Sequence, residues 1–422
     1  MTIDRDAAQR HTIAVLTASQ ALGGLGIAIG IAVASVLAKD VSGKESLAGL
    51  AQTFQVLGTA VASYVLARVM GVKGRRIGLA LGYLIGAAGA MLCVLGGAIE
   101  SFPILLLGTF CLGTVTAANL QSRYAAADLA RPEHRARAIS IVVWATTIGA
   151  VLGPNLTGAS GDLAEKLDLP RLTGPFLISF FAVLIAMAVV GLLLRPDPLL
   201  LARELEGVSA MVPPGTSWSR VATVMRERPP VVAGVLALSS AQAIMVAIMI
   251  MTPLHMDHGG ASLNVIGLVV SGHILGMFAF SPFVGVLADS VGRVQVMVVG
   301  GLLLAVSLYL CGSSPTGESW QITLGLFILG LGWSFCTVAG SALLVEATPI
   351  EARTDVQGAA DLIMNLTAAT AGALAGVVVD GWGFGALNSL AAVLLVGVVA
   401  AVLLSREKPH VPESGEDRVK QP

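Results

Sequence analysis

The sequence predicts an all-α integral membrane protein, with twelve transmembrane helices in two pseudo-symmetric six-helix bundles. Three observations predict it. Of the 422 residues, 55% are hydrophobic and 12% charged, where an ordinary soluble domain is about 25% charged. With a mean hydropathy of +0.84, too little polar surface remains to cover a water-soluble globule of this size. The apolar residues gather in continuous runs of the length, about 20 residues, that a helix needs to cross a hydrocarbon core; they do not alternate as barrel strands do. Finally, the runs fall into two sets that repeat one another.

The first six runs are 12–38, 46–69, 77–98, 102–127, 137–161 and 174–195. The opening "MTIDRDAAQRH" is polar and mixed in charge, and the run behind it is too long for the core of a cleavable signal, so it reads as the first span. After 195 comes "PDPLLLARELEGVSAMVPPGTSWSRVATVMRERP", whose prolines and charges mark a linker. The second six runs are 230–254, 262–287, 294–312, 319–345, 355–380 and 383–404. This gives an N-terminal bundle over 1–195, a central linker over 196–229, a C-terminal bundle over 230–405 and a tail over 406–422. Cys93, Cys111, Cys311 and Cys336 all lie inside apolar runs and read as packing residues, not as a disulfide or metal framework.

Basic residues set the orientation. Of 25 lysines and arginines, Lys39, Lys44, Lys166 and Arg171 fall in loops on one side and Arg123 within a span, which leaves 20 on the other side. That side holds both termini and the linker, and the rule makes it cytoplasmic. The net charge of −1 and the lack of a basic, aromatic-studded patch exclude a nucleic-acid partner. No H-E-x-x-H, nucleophile elbow or G-x-x-x-x-G-K-[ST] occurs, so the chain reads as neither an enzyme nor a nucleotide-driven pump, and no cofactor or metal is expected.

The repeat has an offset of 218: Gln55-Val-Leu-Gly58 answers His273-Ile-Leu-Gly276, Ser63 answers Ser281, and Gly74-Arg75 answers Gly292-Arg293. Asp128 likewise answers Glu346, and Arg135 answers Arg353. Between spans 8 and 9 lies "GVLADSVGR", in which Gly285 permits close helix contact, Asp289 ends span 8, Gly292 makes the turn and Arg293 opens span 9. Its counterpart "ARVMGVKGR" keeps the glycine and arginine but has Gly71 in place of the acid.

This pattern, at this position, resembles the G-x-x-x-D-x-x-G-R signature of the major facilitator superfamily, and with the twelve spans and the repeat the resemblance covers the whole chain. It implies alternating access, with the substrate at the midplane between halves that rock. It also implies a cytoplasmic clamp favouring the outward-facing state, in which Arg293 meets Glu346, and Arg75 or Arg76 meets Asp128. Arg135 and Arg353 complete the two acid-x6-Arg elements. Because Gly71 carries no acid, the clamp is expected to be lopsided and to rest mainly on Asp289.

Span 5 contains "GAVLGPNLTG", with Gly149, Gly153, Pro154 and Gly158. It resembles the helix-5 motif of the drug:proton antiporter branch, except that Thr157 stands where the first of two paired glycines belongs. The proline is expected to bend the span and the glycines to admit a neighbouring helix. The arginine that this branch carries in span 4 is replaced by Thr109; Arg123, lower in the span, either takes its role or snorkels to the cytoplasmic end.

Ionisable groups within spans are functional candidates. His273, near the middle of span 8, and Asp361, two turns inside span 11, are candidates for proton coupling together with Arg123. Gln357 and Asn365 share a face with Asp361, a stripe that faces either the pathway or the inner gate. Gln20, Gln55, Gln242 and Asn365 are candidates to line the cavity. The resemblance thus implies a secondary transporter exporting small organic molecules in exchange for protons across the bilayer of a bacterial inner membrane, with a monomer as the default oligomeric state. The alternative is a proton-coupled importer of a metabolite or vitamin-like solute on the same fold.

Overall fold

The computed structural model describes residues 4–44, 47–208 and 216–405, so the tail over 406–422 lies outside the described residues. Fifteen α-helices with short 3-10 turns make up the described chain. In the N-terminal half, α1 (Arg5–Ser42) starts where the Asp4 carboxylate accepts the amides of Asp6 and Ala7, and ends at Gly43, whose φ of 65° is left-handed. These caps extend it beyond the apolar run at both ends. It is followed by α2 (Leu50–Lys73), α3 (Arg75–Ala98), α4 (Phe102–Ala125), α5 (Arg135–Lys166) and α6 (Gly174–Leu193). The linker holds α7 (Pro198–Leu205) and α8 (Ser217–Glu227).

The C-terminal half consists of α9 (Pro229–His258), α10 (Leu263–Phe278), α11 (Ser281–Val291), α12 (Arg293–Gly312), α13 (Trp320–Ala347), α14 (Arg353–Ala391) and α15 (Leu395–Leu404). Single glycines make the reversals between α2 and α3 and between α11 and α12: Gly74 has φ 88° and Gly292 φ 115°, conformations an L side chain avoids. The eighth span, expected as one helix, is broken into α10 and α11. Pro282 has no N–H to give to the preceding turn, and its ring crowds the carbonyl four residues back.

Eleven stretches among the described residues are long and apolar enough to cross a membrane, not the expected twelve. The last, Arg353–Leu404, has 52 residues; at 1.5 Å per residue it would measure about 78 Å, more than twice a hydrocarbon core. Within it Gly383 is non-helical, with φ 84° and ψ 173°, close to the boundary expected between the last two spans.

Helices α1 to α6 pack on one another, as do α9 to α15, and the halves meet chiefly where α2 lies on α14 and α5 on α11. One buried core lies in each half. A further core joins them at the linker end, where Tyr124, Ala136 and Ile139 pack with Val284, Ala288 and Val356.

The repeat is visible in the packing. A Cβ on Gly113 would stand 2.2 Å from the carbonyl oxygen of Gln55, and one on Gly330 would stand 2.3 Å from that of His273. Gly108 and Gly325 meet the sulfurs of Cys93 and Cys311 in the same way, at 2.7 and 2.6 Å. These partners reveal a slip. The fourth span registers with its counterpart at 217, while the segments on either side keep 218. The acids are consequently presented differently. Asp128 lies in the turn beyond α4, with a fully buried side chain, whereas Glu346 remains on α13 with its side chain 44% exposed.

A candidate gate between the halves

At the linker end, α11 ends against the start of α5. Gly285 allows the contact, since a Cβ there would fall 2.1 Å from Ser140 Oγ. The Asp289 carboxylate then accepts the amides of Ala136 at 3.1 Å and Arg137 at 2.9 Å. These amides belong to the first turn of α5, where helical N–H groups lack internal partners and the helix dipole favours an anion. Arg293 pairs with Asp289 at 3.1 Å and with Glu346 at 3.2 Å, and it donates to the Pro132 carbonyl of the other half at 2.6 Å.

The α2–α14 seam is tied differently. Arg75, fully buried, donates to Asp128 at 2.8 Å, to Gln121 at 3.2 Å and, across the seam, to Gln357 of α14 at 2.6 Å. Arg353 reaches Asp128 from the other half at 3.6 Å. Of the two arginines, Arg75 is the one that meets Asp128, while Arg76 has its backbone amide bonded to Asp197 of the linker. Beside the Asp289 contacts of the first seam, Arg75, Asp128 and Gln357 thus tie the second, although Gly71 brings no acid to it. Arg135 makes no ion pair among the described residues.

One turn deeper, Asp361 of α14 gathers three donors from α4. Arg123 Nη2 meets Oδ1 at 2.5 Å, the Tyr124 hydroxyl meets the same oxygen at 3.2 Å, and Gln121 Nε2 meets Oδ2 at 2.8 Å. The guanidinium of Arg123 also lies 4.7 Å from the centre of the Tyr124 ring. Asp361 is fully buried and Arg123 is 2% exposed. Arg123 does not snorkel, and the stripe Gln357–Asp361 faces the seam. Buried charges at this spacing persist only when paired and hydrogen-bonded, because removing one partner strands the other in a low dielectric.

The other candidates lie elsewhere. His273 Nδ1 bonds the Leu326 carbonyl of α13 at 2.8 Å, and its Nε2 is buried without a partner among the described residues. Gln55 is buried beside α4, Gln20 donates to Thr146 at 3.0 Å, and Gln242 accepts from Trp333 at 2.6 Å. Asn365 donates to the Asp361 carbonyl at 2.7 Å. Gly149 and Gly153 press against α1: their Cβ atoms would come within 2.2 Å of Leu25 N and 2.8 Å of Ala28 Cβ. Gly158 faces open space, α5 runs on through Pro154, and that proline's side chain lies outside the described residues.

Sequence reasoning missed Gln121 and Tyr124, although both stand beside Arg123 in "NLQSRYAAAD". A run of polar groups in the last turns of an otherwise apolar span was the signal for them. It also missed the linker contacts of Asp197, Arg203 and Asp355, which nothing in the periodicity marks.

Comparison with known proteins agrees with this architecture. Uncharacterized MFS-type transporter YdeG of Bacillus subtilis (strain 168) is 36% identical over 398 residues, covering 94% of this chain and 92% of its own. The riboflavin transporter RfnT of Brucella anthropi is 31% identical over 413 residues, covering 95% of this chain and 97% of its own. The crystal structure of the human organic anion transporter MFSD10 superposes with a TM-score of 0.74 at 17% identity, covering 94% of this chain and 99% of that one. The proton:xylose symporter XylE does so with a TM-score of 0.73 at 16% identity, covering 95% and 96%. A sequence model of the Major Facilitator Superfamily matches residues 14–262 and 234–421, and with its long apolar helices packed as two halves that meet at a shared polar cluster, the chain belongs to that superfamily.

Proposed function

We propose that this transporter moves a small organic solute by alternating access coupled to protons, with Asp361 as the group that takes the proton. The Arg123–Asp361 pair across the halves carries this reading. Opening the linker end pulls α14 away from α4. An ionised Asp361 would then be left in the span without its three donors, at a cost of several kcal/mol. A proton on Asp361 removes that cost, so each opening is tied to one bound proton, and acid shifts the protein toward the inward-open state. Asp289, Arg293, Glu346, Arg75, Asp128 and Arg353 hold the same end shut while Asp361 is ionised.

In this reading Arg353–Leu404 crosses twice and completes twelve spans, residues 1–195 and 230–405 rock about the linker, and both termini are cytoplasmic in a bacterial inner membrane. The glycines of α5 support export, since they resemble the drug:proton antiporter motif and seat α5 on α1. Likeness to the riboflavin transporter supports a second reading, proton-coupled uptake of a vitamin-like solute. Proteoliposomes loaded with a drug and metabolite panel that includes riboflavin, with a pH gradient imposed in either direction, separate the two. Accumulation on the acidic side supports export, and accumulation on the alkaline side supports uptake. Transport indifferent to the gradient refutes coupling.

A further inference from the structure

The two seams of the gate are related by the repeat, yet only one has an acid at the helix end. The α5 amides that Asp289 holds, Ala136 and Arg137, correspond at the offset of 218 to Thr354 and Asp355 at the start of α14. Opposite these, where an aspartate would complete the symmetry, stands Gly71. The space is already filled, since a Cβ on Gly71 would lie 2.6 Å from Thr354 Oγ1.

What grips the start of α14 instead is the linker. Ser217 Oγ donates to Asp355 at 2.6 Å, Arg220 Nε donates to the same carboxylate at 2.8 Å, and Arg220 Nη2 stands 2.7 Å from it. The same helix, α8, leans on the other half, where Trp218 stacks on Tyr64 of α2 with ring centres 5.2 Å apart. Ahead of it, α7 is tied to the α2–α3 turn: Arg203 donates to the Gly71 carbonyl at 2.7 Å, and Asp197 accepts the Arg76 amide at 2.8 Å. Leu199, Leu201 and Ala202 of α7 are buried with Ala8 and Leu129 of one half and Ile350 of the other.

We propose that the linker is a working part of the gate, and that Arg220, bonded to Asp355, is a positioning residue that braces the α2–α14 seam as Asp289 braces the α5–α11 seam. The linker therefore lets go of one half, at Asp355 or at Tyr64, each time the gate opens. This rests on the alternating-access reading above. A flexible tether would need neither a half-buried arginine paired with a buried carboxylate nor an aromatic stack bridging the halves.

The test uses the full chain in lipid nanodiscs, spin-labelled at the exposed positions Val72 and Glu351 across the α2–α14 seam, with His134 and Ser290 labelled across the other. Arg220→Ala and Asp355→Asn should raise the ratio of long to short Val72–Glu351 distances roughly fivefold to thirtyfold, the range one to two kcal/mol commands. The charge exchange Arg220→Asp with Asp355→Arg should bring the short distance back, as should Arg220→Lys in part. Elution as a single species before and after exchange checks that the fold is kept. If Asp289→Asn lengthens the distances while Arg220→Ala and Asp355→Asn leave them at the parent's values, the linker is a tether and the proposal falls, with alternating access untouched. A charge exchange that folds yet stays as open as Arg220→Ala also overturns it. If no variant, Asp289→Asn included, changes either distance, the alternating-access reading falls as well.

Discussion

Asp361 decides most at the scale of the residue, because three donors converge on one buried carboxylate. Asp361→Ala should lower stability by about 3–5 kcal/mol, since it leaves Arg123 charged and buried. Pairing it with Arg123→Met should recover most of the loss in a thermal melt. Asp361→Asn keeps the shape, so we expect it to bind and exchange substrate, but to lose both pH-driven accumulation and the acid-induced shift toward the inward-open state. His273 is the rival seat for the proton. It bonds a carbonyl within its own half, that of Leu326, and meets no carboxylate among the described residues. His273→Gln, which reproduces its counterpart Gln55, should therefore keep the parent's pH profile; a flattened profile would move the coupling site from Asp361 to His273. Asp361 and Arg123 were legible in the sequence as charges inside spans. Their meeting was not, because 238 positions separate them and only the docking of the halves brings them together.

Among the elements, the spans were readable because lipid demands long apolar helices, and the glycine turns were readable because two reversals needed positive φ. Breaks inside a span were less so, because hydropathy does not register a lost hydrogen bond; Pro282 was the only mark of the division between α10 and α11. Glycines differ in the same hidden way. Gly149→Val should force α5 away from α1, at a cost of about 1–3 kcal/mol for overpacking, while Gly158→Ala in open space should leave the melting temperature within about a degree or two of the parent's. Equal effects from the two would mean that the α1–α5 contact does not depend on Gly149.

For the whole molecule, the gate predicts how the halves respond when a tie is cut. Asp289→Asn or Arg293→Gln should increase labelling of cysteines placed at the linker ends of α4 and α13 and slow turnover, with expression kept; unchanged labelling in both would remove this seam from the gate. The sequence suggested a lopsided clamp because it shows which residue is missing at 71 but not what arrives from elsewhere to replace it. The slip between the two copies of the fourth span bears on how far each acid can be changed. The two copies carry their acids, Asp128 and Glu346, at equivalent positions of the repeat. One residue turns a helix by about 100°, and that displacement left Asp128 folded away from water with Arg75 while Glu346 stayed at the surface. The two acids therefore tolerate change unequally: Glu346→Gln should cost less than about 1 kcal/mol of stability, while Asp128→Asn leaves Arg75 charged and buried without its counter-charge and should cost several times as much.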